Sequence, residues 1–179
     1  KPERYIFSAY TASGEENHEP DLAAGYAYIA AAAACSFCSY LKEKTGQEHP
    51  GIIIGMDSRP TGRAIADIMV RVCTSSGCQV DYGYIMAAPE IMAYTRIRGA
   101  VLNADAVHGF MYISASHNPV GHNGLKFGLT DGGVIGAEES SILIEKFRLF
   151  CSNPDCIESL NTLVQKADKT RVKRIFQNT

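Results

Sequence analysis

Two hydroxyls, an imidazole, two carboxamides and an ammonium fall within two short neighbouring runs of this chain, and no carboxylate falls among them. They run Ser114-Ala115-Ser116-His117-Asn118-Pro119 and then Asn123-Gly124-Leu125-Lys126. A donor-rich set without acidic residues suits a phosphate. One carried on Ser116 would be stabilised by imidazolium, amide groups and Lys126 through charge-assisted hydrogen bonds. Pro119, Gly121 and Gly124 force turns, so the chain doubles back. Leu125 and Phe127 alternate with Lys126, which places the lysine on the opposite face of a strand. Two other readings fit the same residues. All four types in Ser-His-Asn-Pro favour plain turns. A serine hydrolase is the other catalytic option, but its nucleophile elbow reads G-x-S-x-G and Ser116 has no glycines at those offsets.

The elements that would position this loop alternate between two periods. Leu22, Tyr26, Ile29, Ala33, Phe37 and Leu41 mark one face of a helix, with Gly46 and Pro50 as stop signals. Gly51-Ile52-Ile53-Ile54-Gly55 reads as a strand buried on both faces. Asp57-Ser58-Arg59-Pro60-Thr61 is a polar loop with Thr61 as the expected N-cap of a helix through Ile65, Met69 and Val72. That helix is supported by Asp67 and Arg71 at i and i+4. Gly77 closes it, and a second strand spans 79–85. Pro89 opens a short helix that ends by Gly99. Residues 109–113 form a third strand that feeds directly into the serine loop. Residues 126–129 and Val134-Ile135 flank a turn at Asp131-Gly132-Gly133, and Ile142, Leu143, Phe147 and Phe150 mark a last strong helix. The expected fold is a three-layer α/β/α domain with a mixed, mostly parallel sheet of about four strands, in which ligands bind outside the carboxyl ends of the strands. Residues 1–150 make up this domain. Residues 151–179 turn polar, with a helical hint at 160–164, and read as a linker or the start of a further domain.

Bulk properties exclude several classes. The chain has 179 residues, 46% of them hydrophobic and 20% charged, with a net charge of −2. It is long enough to bury roughly 70% of its unfolded surface, so it needs no staples. Without a basic field, nucleic acid and anionic membranes are not expected partners. No uninterrupted apolar stretch reaches the ~20 residues of a membrane span, and the alanine-rich segment 26–37 lacks the basic flank of a signal peptide. The expected location is the cytoplasm. The six cysteines read as structural thiols. Cys35-Ser-Phe-Cys38 lies in a helical pattern rather than after a strand, and Cys151 and Cys156 are too far apart for a second zinc pair.

The serine loop resembles the active-site signature of the α-D-phosphohexomutases, T-A-S-H-N-P followed by N-G-x-K, with Ser114 in place of threonine. Gly55-Met56-Asp57-Ser58-Arg59 is similar to that family's G-x-D-x-R. The resemblance extends from about residue 6 to about 150. It implies an enzyme that interconverts hexose 1-phosphates and 6-phosphates. In this reading Ser116 carries the phosphoryl group, His117 holds its environment and Lys126 sits near the transferring oxygen. Tyr10, Asn118 and Asn123 are the residues at the substrate. Mg²⁺ would touch a Ser116 phosphate oxygen, with its other ligands supplied by a downstream domain, and a hexose bisphosphate is the implied intermediate. Phosphomannomutase or phosphoglucomutase activity is favoured over phosphoglucosamine mutase, whose serine loop usually reads differently. The opening Ile6-Phe7-Ser8-Ala9-Tyr10-Thr11-Ala12-Ser13-Gly14 is similar to I-F-R-A-Y-D-I-R-G of bacterial phosphomannomutases, with Ser13 where the family has a catalytic arginine. That departure leaves room for a non-catalytic phosphosugar-binding relative. With the metal carboxylates and sugar loop of the family's further domains also missing from these residues, the resemblance implies that residues 1–179 fold on their own but have no mutase activity.

Overall fold

The computed structural model describes residues 7–8, 22–101, 106–119 and 121–178. In chain order they form β1 (Phe7–Ser8), α1 (Ala24–Thr45), β2 (Gly51–Met56), α2 (Gly62–Ser75), β3 (Gln79–Ile85) and α3 (Ala88–Gly99). These are followed by β4 (Val107–Ile113), β5 (His122–Asn123), β6 (Leu125–Leu129), α4 (Ala137–Ser152), α5 (Asp155–Lys166) and α6 (Lys169–Gln177). Four strands make an open sheet in the order β3-β2-β4-β6; β2 pairs parallel with both neighbours, and β6 runs antiparallel to β4. β1 and β5 form a separate antiparallel pair. The expected α/β/α fold is present, with a sheet that is mixed and mostly parallel.

The two faces of the sheet follow the two-residue alternation of side chains. Ile52, Ile54, Met56, Met111 and Ile113 pack towards α1 and α2 in one large core. Ile53, Phe110 and Tyr112 point the other way and meet Ile91 and Met86 in a smaller one beneath α3. β2 is buried along its whole length, as an apolar run flanked by parallel strands should be. Gly46 ends α1 in the left-handed region, at φ +67°, where its amide donates to the Lys42 carbonyl. α1 is long and apolar enough to match a membrane span, yet 56% of its most apolar window is buried inside the domain, so it reads as a core helix.

Three local expectations change. Thr61 stands at the N-cap of α2 but makes no capping bond, because its backbone is already helical at φ −81°, ψ −8°. Its hydroxyl accepts from Asn123 Nδ2 instead, at 3.2 Å. Position 150, where the domain was expected to end, falls within α4. The residues beyond it complete α4 and form α5 and α6. Leu160, Ala167 and Val172 are buried with the main core, Ser75 Oγ donates to the Leu163 carbonyl at 2.7 Å, and Phe176 stacks edge-on against Tyr82 at 4.6 Å. Asp168 caps α6 by accepting from the amides of Thr170 and Arg171.

The cysteines are free thiols. Cys38 Sγ lies 3.5 Å from Cys73 Sγ, and that contact and burial hold the Cys38 thiol well above its ordinary range. A protonated, enclosed thiol is a packing group.

Candidate active site

The strand order dictates where a site can form. The chain leaves β2 outward to β3 and then crosses back to β4, so the loops that follow β2 and β4 emerge side by side at the carboxyl ends of adjacent parallel strands. Asp57 N donates to the Ile113 carbonyl at 3.0 Å, which ties the two exits together. Residues 57–61, 114–119 and 121–124 therefore share one end of the sheet.

The serine loop is built on its own backbone. Ser114 is 6% exposed; its amide donates to the Gly124 carbonyl at 2.9 Å and its Oγ accepts from Ser116 N at 3.0 Å. That placement gives the Ser114 hydroxyl a part in holding the loop backbone. Ser116, His117 and Asn118 are exposed beyond it. Ser116 sits at φ +57°, in the left-handed region that non-glycine residues rarely enter. Asn118 N donates to the Ala115 carbonyl, and His122 N to the Pro119 carbonyl, closing successive turns.

Lys126 is the register partner of Tyr112, across β6 and β4, on the face opposite Leu125 and Phe127. Its Nζ stands 5.9 Å from the centre of the Tyr112 ring, a cation–π distance. Tyr112 is fixed beneath it by donating its hydroxyl to the Met86 carbonyl at 2.8 Å. Because β6 begins at the site end of the sheet, Lys126 lies one residue pair in from the exit of β4.

Asn123 is 4% exposed and internally occupied. Its Oδ1 accepts from Gly124 N at 2.9 Å, and its Nδ2 donates to Thr61. As placed, it fastens the return of the loop to the start of α2. Tyr10 and Ser13 lie outside the described residues. His122 is also buried, and burial, followed by the nearby Arg59 charge, pulls its imidazole below its ordinary pKa.

The residue to which the sequence alone assigns no role is Arg59. Its Nε donates to Asp57 Oδ2 at 2.9 Å. Nη1 reaches the carbonyls of Pro119 at 2.5 Å and His122 at 3.1 Å. Nη2 reaches those of Ser116 at 2.6 Å and Asn118 at 2.8 Å. The side chain is 10% exposed. The available signal was an Asp and an Arg two residues apart at the end of a buried strand, opposite a loop rich in carbonyls.

The alpha/beta/alpha domain I of phosphoglucomutase/phosphomannomutase matches residues 11–148. The chain belongs to this family. Phosphoglucosamine mutase of Staphylococcus aureus strain JH9 is 33% identical over 101 residues, which are 56% of this chain and 21% of that protein. The open form of the exocytosis-sensitive phosphoprotein parafusin, a phosphoglucomutase from Paramecium, superposes with a TM-score of 0.58 at 20% identity over 67% of this chain and 22% of that one. A phosphoglucomutase/phosphomannomutase family protein from Burkholderia thailandensis gives 0.56 at 18% identity over 80% of this chain and 30% of that one. At these identities the two structures show the phosphohexomutase domain I fold. The chain spans about a fifth of the length of the curated relatives it matches. Among the described residues no three His, Cys, Asp or Glu side chains gather. Asp57 is tied to Arg59. The described residues of this phosphohexomutase domain therefore do not make an octahedral oxygen site for Mg²⁺.

Proposed function

We propose that this chain is the phosphoserine domain of a phosphohexomutase, acting within a longer protein on hexose 1- and 6-phosphates. The observation that carries the reading is Ser116, exposed and left-handed at the carboxyl end of the central parallel strands, with Lys126 projecting from the neighbouring strand of the same end. Phosphoryl transfer asks a protein chiefly for positioning and charge stabilisation. A phosphoryl group on Ser116 Oγ passes to a hexose monophosphate hydroxyl; the P–Oγ bond breaks and a hexose bisphosphate forms. The sugar then turns over and returns its other phosphate to Ser116. Lys126 meets the negative charge on the transferring oxygens, and His117 and Asn118 border the same exposed loop. Asn123 acts by holding the loop, and Tyr10 is proposed at the sugar. A Mg²⁺ would take one oxygen from the serine phosphate and its remaining ligands from further domains, which would also complete the sugar site. With α1 buried as a core helix, a cytoplasmic location fits this activity.

The S. aureus relative named above is a phosphoglucosamine mutase, so glucosamine phosphate stands beside glucose and mannose phosphates as a substrate. The test is to incubate the complete protein with hexose 1,6-bisphosphate and map the phosphate, then assay all three hexose 1-phosphates. One phosphate on the peptide 114–126, lost together with turnover in Ser116→Ala, is expected. Lys126→Ala should slow turnover by about 100-fold or more with an unchanged melting point, since a half-exposed lysine contributes little to the core. A phosphate mapping to Ser114, or sugar binding without phosphorylation, would favour the binding-only relative.

A further inference from the structure

We infer that Arg59 is the positioning residue of the phosphoryl acceptor: it draws the carbonyls of the serine loop inward and so presents the Ser116 hydroxyl and the His117 backbone N–H to a phosphate. The inference rests on the phosphoserine reading given above. A guanidinium has five N–H donors in a fixed planar fork. Here they meet one carboxylate oxygen of Asp57 and four loop carbonyls, those of Ser116, Asn118, Pro119 and His122. With every donor engaged, Arg59 does not bind the substrate itself. It organises the backbone that does.

The direction of that organisation follows from peptide geometry. In a planar trans peptide the N–H points opposite to the C=O. No described peptide is cis. Because the Ser116 carbonyl is aimed at Nη2, the N–H of His117 is aimed away from the guanidinium. It has no hydrogen-bond partner among the described residues. A fixed backbone donor beside the nucleophile is the kind of group that stabilises charge on a transferring oxygen without reorganisation. The same contacts hold Ser116 at its positive φ, a conformation that an unrestrained serine would leave. A lysine at position 59 could offer one point charge but not a fork spanning four carbonyls.

The test uses Arg59→Lys, Arg59→Ala and Asp57→Asn, with Arg71→Ala as a control that removes a comparable ion pair on α2. Amide hydrogen exchange across 114–124 and the melting temperature are measured first. In the complete protein, phosphoryl uptake by Ser116 from hexose 1,6-bisphosphate and the division of the effect between kcat and KM are measured next. Both Arg59 variants are expected to lose loop protection while β2 and β4 stay protected. Phosphoryl uptake and kcat should fall by about 100-fold, the scale expected for a small misplacement of a reacting group, with KM little changed. Arg59→Lys should do no better than Arg59→Ala, Asp57→Asn should give an intermediate loss, and Arg71→Ala should behave as the parent. A loop that stays protected in Arg59→Ala, or full rescue by Arg59→Lys, overturns the inference. If the Arg59 variants unfold outright, Asp57→Asn decides: normal loop protection and normal uptake there overturn it too. Loss of loop order in a protein whose parent takes no phosphate on Ser116 would instead uphold the clamp and overturn the phosphoserine reading.

Discussion

Ser116 holds its hydroxyl on a backbone that costs an L-residue roughly 1–2 kcal/mol. Ser116→Gly should therefore be more stable than Ser116→Ala by about 1 kcal/mol in urea unfolding, although neither can carry a phosphate. Equal stabilities would mean that the loop relaxes once the hydroxyl is gone. His122 adds a pH dependence. Burial, with Arg59 second, depresses its pKa, so the unfolded chain binds the proton more readily than the folded one. Its contribution is fully present above the ordinary histidine value of 6.5 and is lost as pH falls from there towards the depressed folded value. Melting temperatures measured between pH 7.5 and 5 should fall, and His122→Asn should flatten that slope. At this scale the sequence was informative where chemistry and spacing coincide. Ser116 and Lys126 stand out because a serine loop and an alternating strand are both local patterns. The holding roles of Arg59 and Asn123 do not, because the loop carbonyls and the Thr61 hydroxyl that define them lie about sixty positions away and only the fold brings them together.

The alternation of helix and strand periods made the layers readable from sequence. β3 and the Asp67–Arg71 pair fall where the pattern puts them, and β2 and α2 lie within a residue of it. The two-residue strands β1 and β5 were invisible, because no periodicity can register in so short a run. α5 was only hinted at, by residues 160–164, and α6 not at all: their outer faces are charged, and a narrow apolar stripe does the packing. Leu160 is the centre of that stripe, at 1% exposure. Leu160→Ala should destabilise the domain by about 2–5 kcal/mol, as deletion of a buried leucine side chain does. A loss below 1 kcal/mol in chemical unfolding would show that the last two helices are accessory to this core rather than part of it.

For the whole molecule, residues 1–179 should fold cooperatively on their own, since both faces of the sheet are covered. They should show no turnover of glucose, mannose or glucosamine 1-phosphate with added bisphosphate and Mg²⁺, because the described residues supply no metal carboxylates and only one lysine from the sheet. Turnover above background that Ser116→Ala abolishes would place a complete site within these residues. The cover on the two faces is unequal. Among the described residues, α1, α2, α4, α5 and α6 all contribute to the large core on one side of the sheet, whereas α3 is the only helix on the other, over a core of six buried residues. In native-state exchange such a layer belongs to the low-stability end of the molecule and should open below the global unfolding limit. Lifting α3 would free the Met86 carbonyl from the Tyr112 hydroxyl and loosen the ring under Lys126. The free energy of that partial opening, rather than of complete unfolding, would then set how much of the time Lys126 stands over the Tyr112 ring.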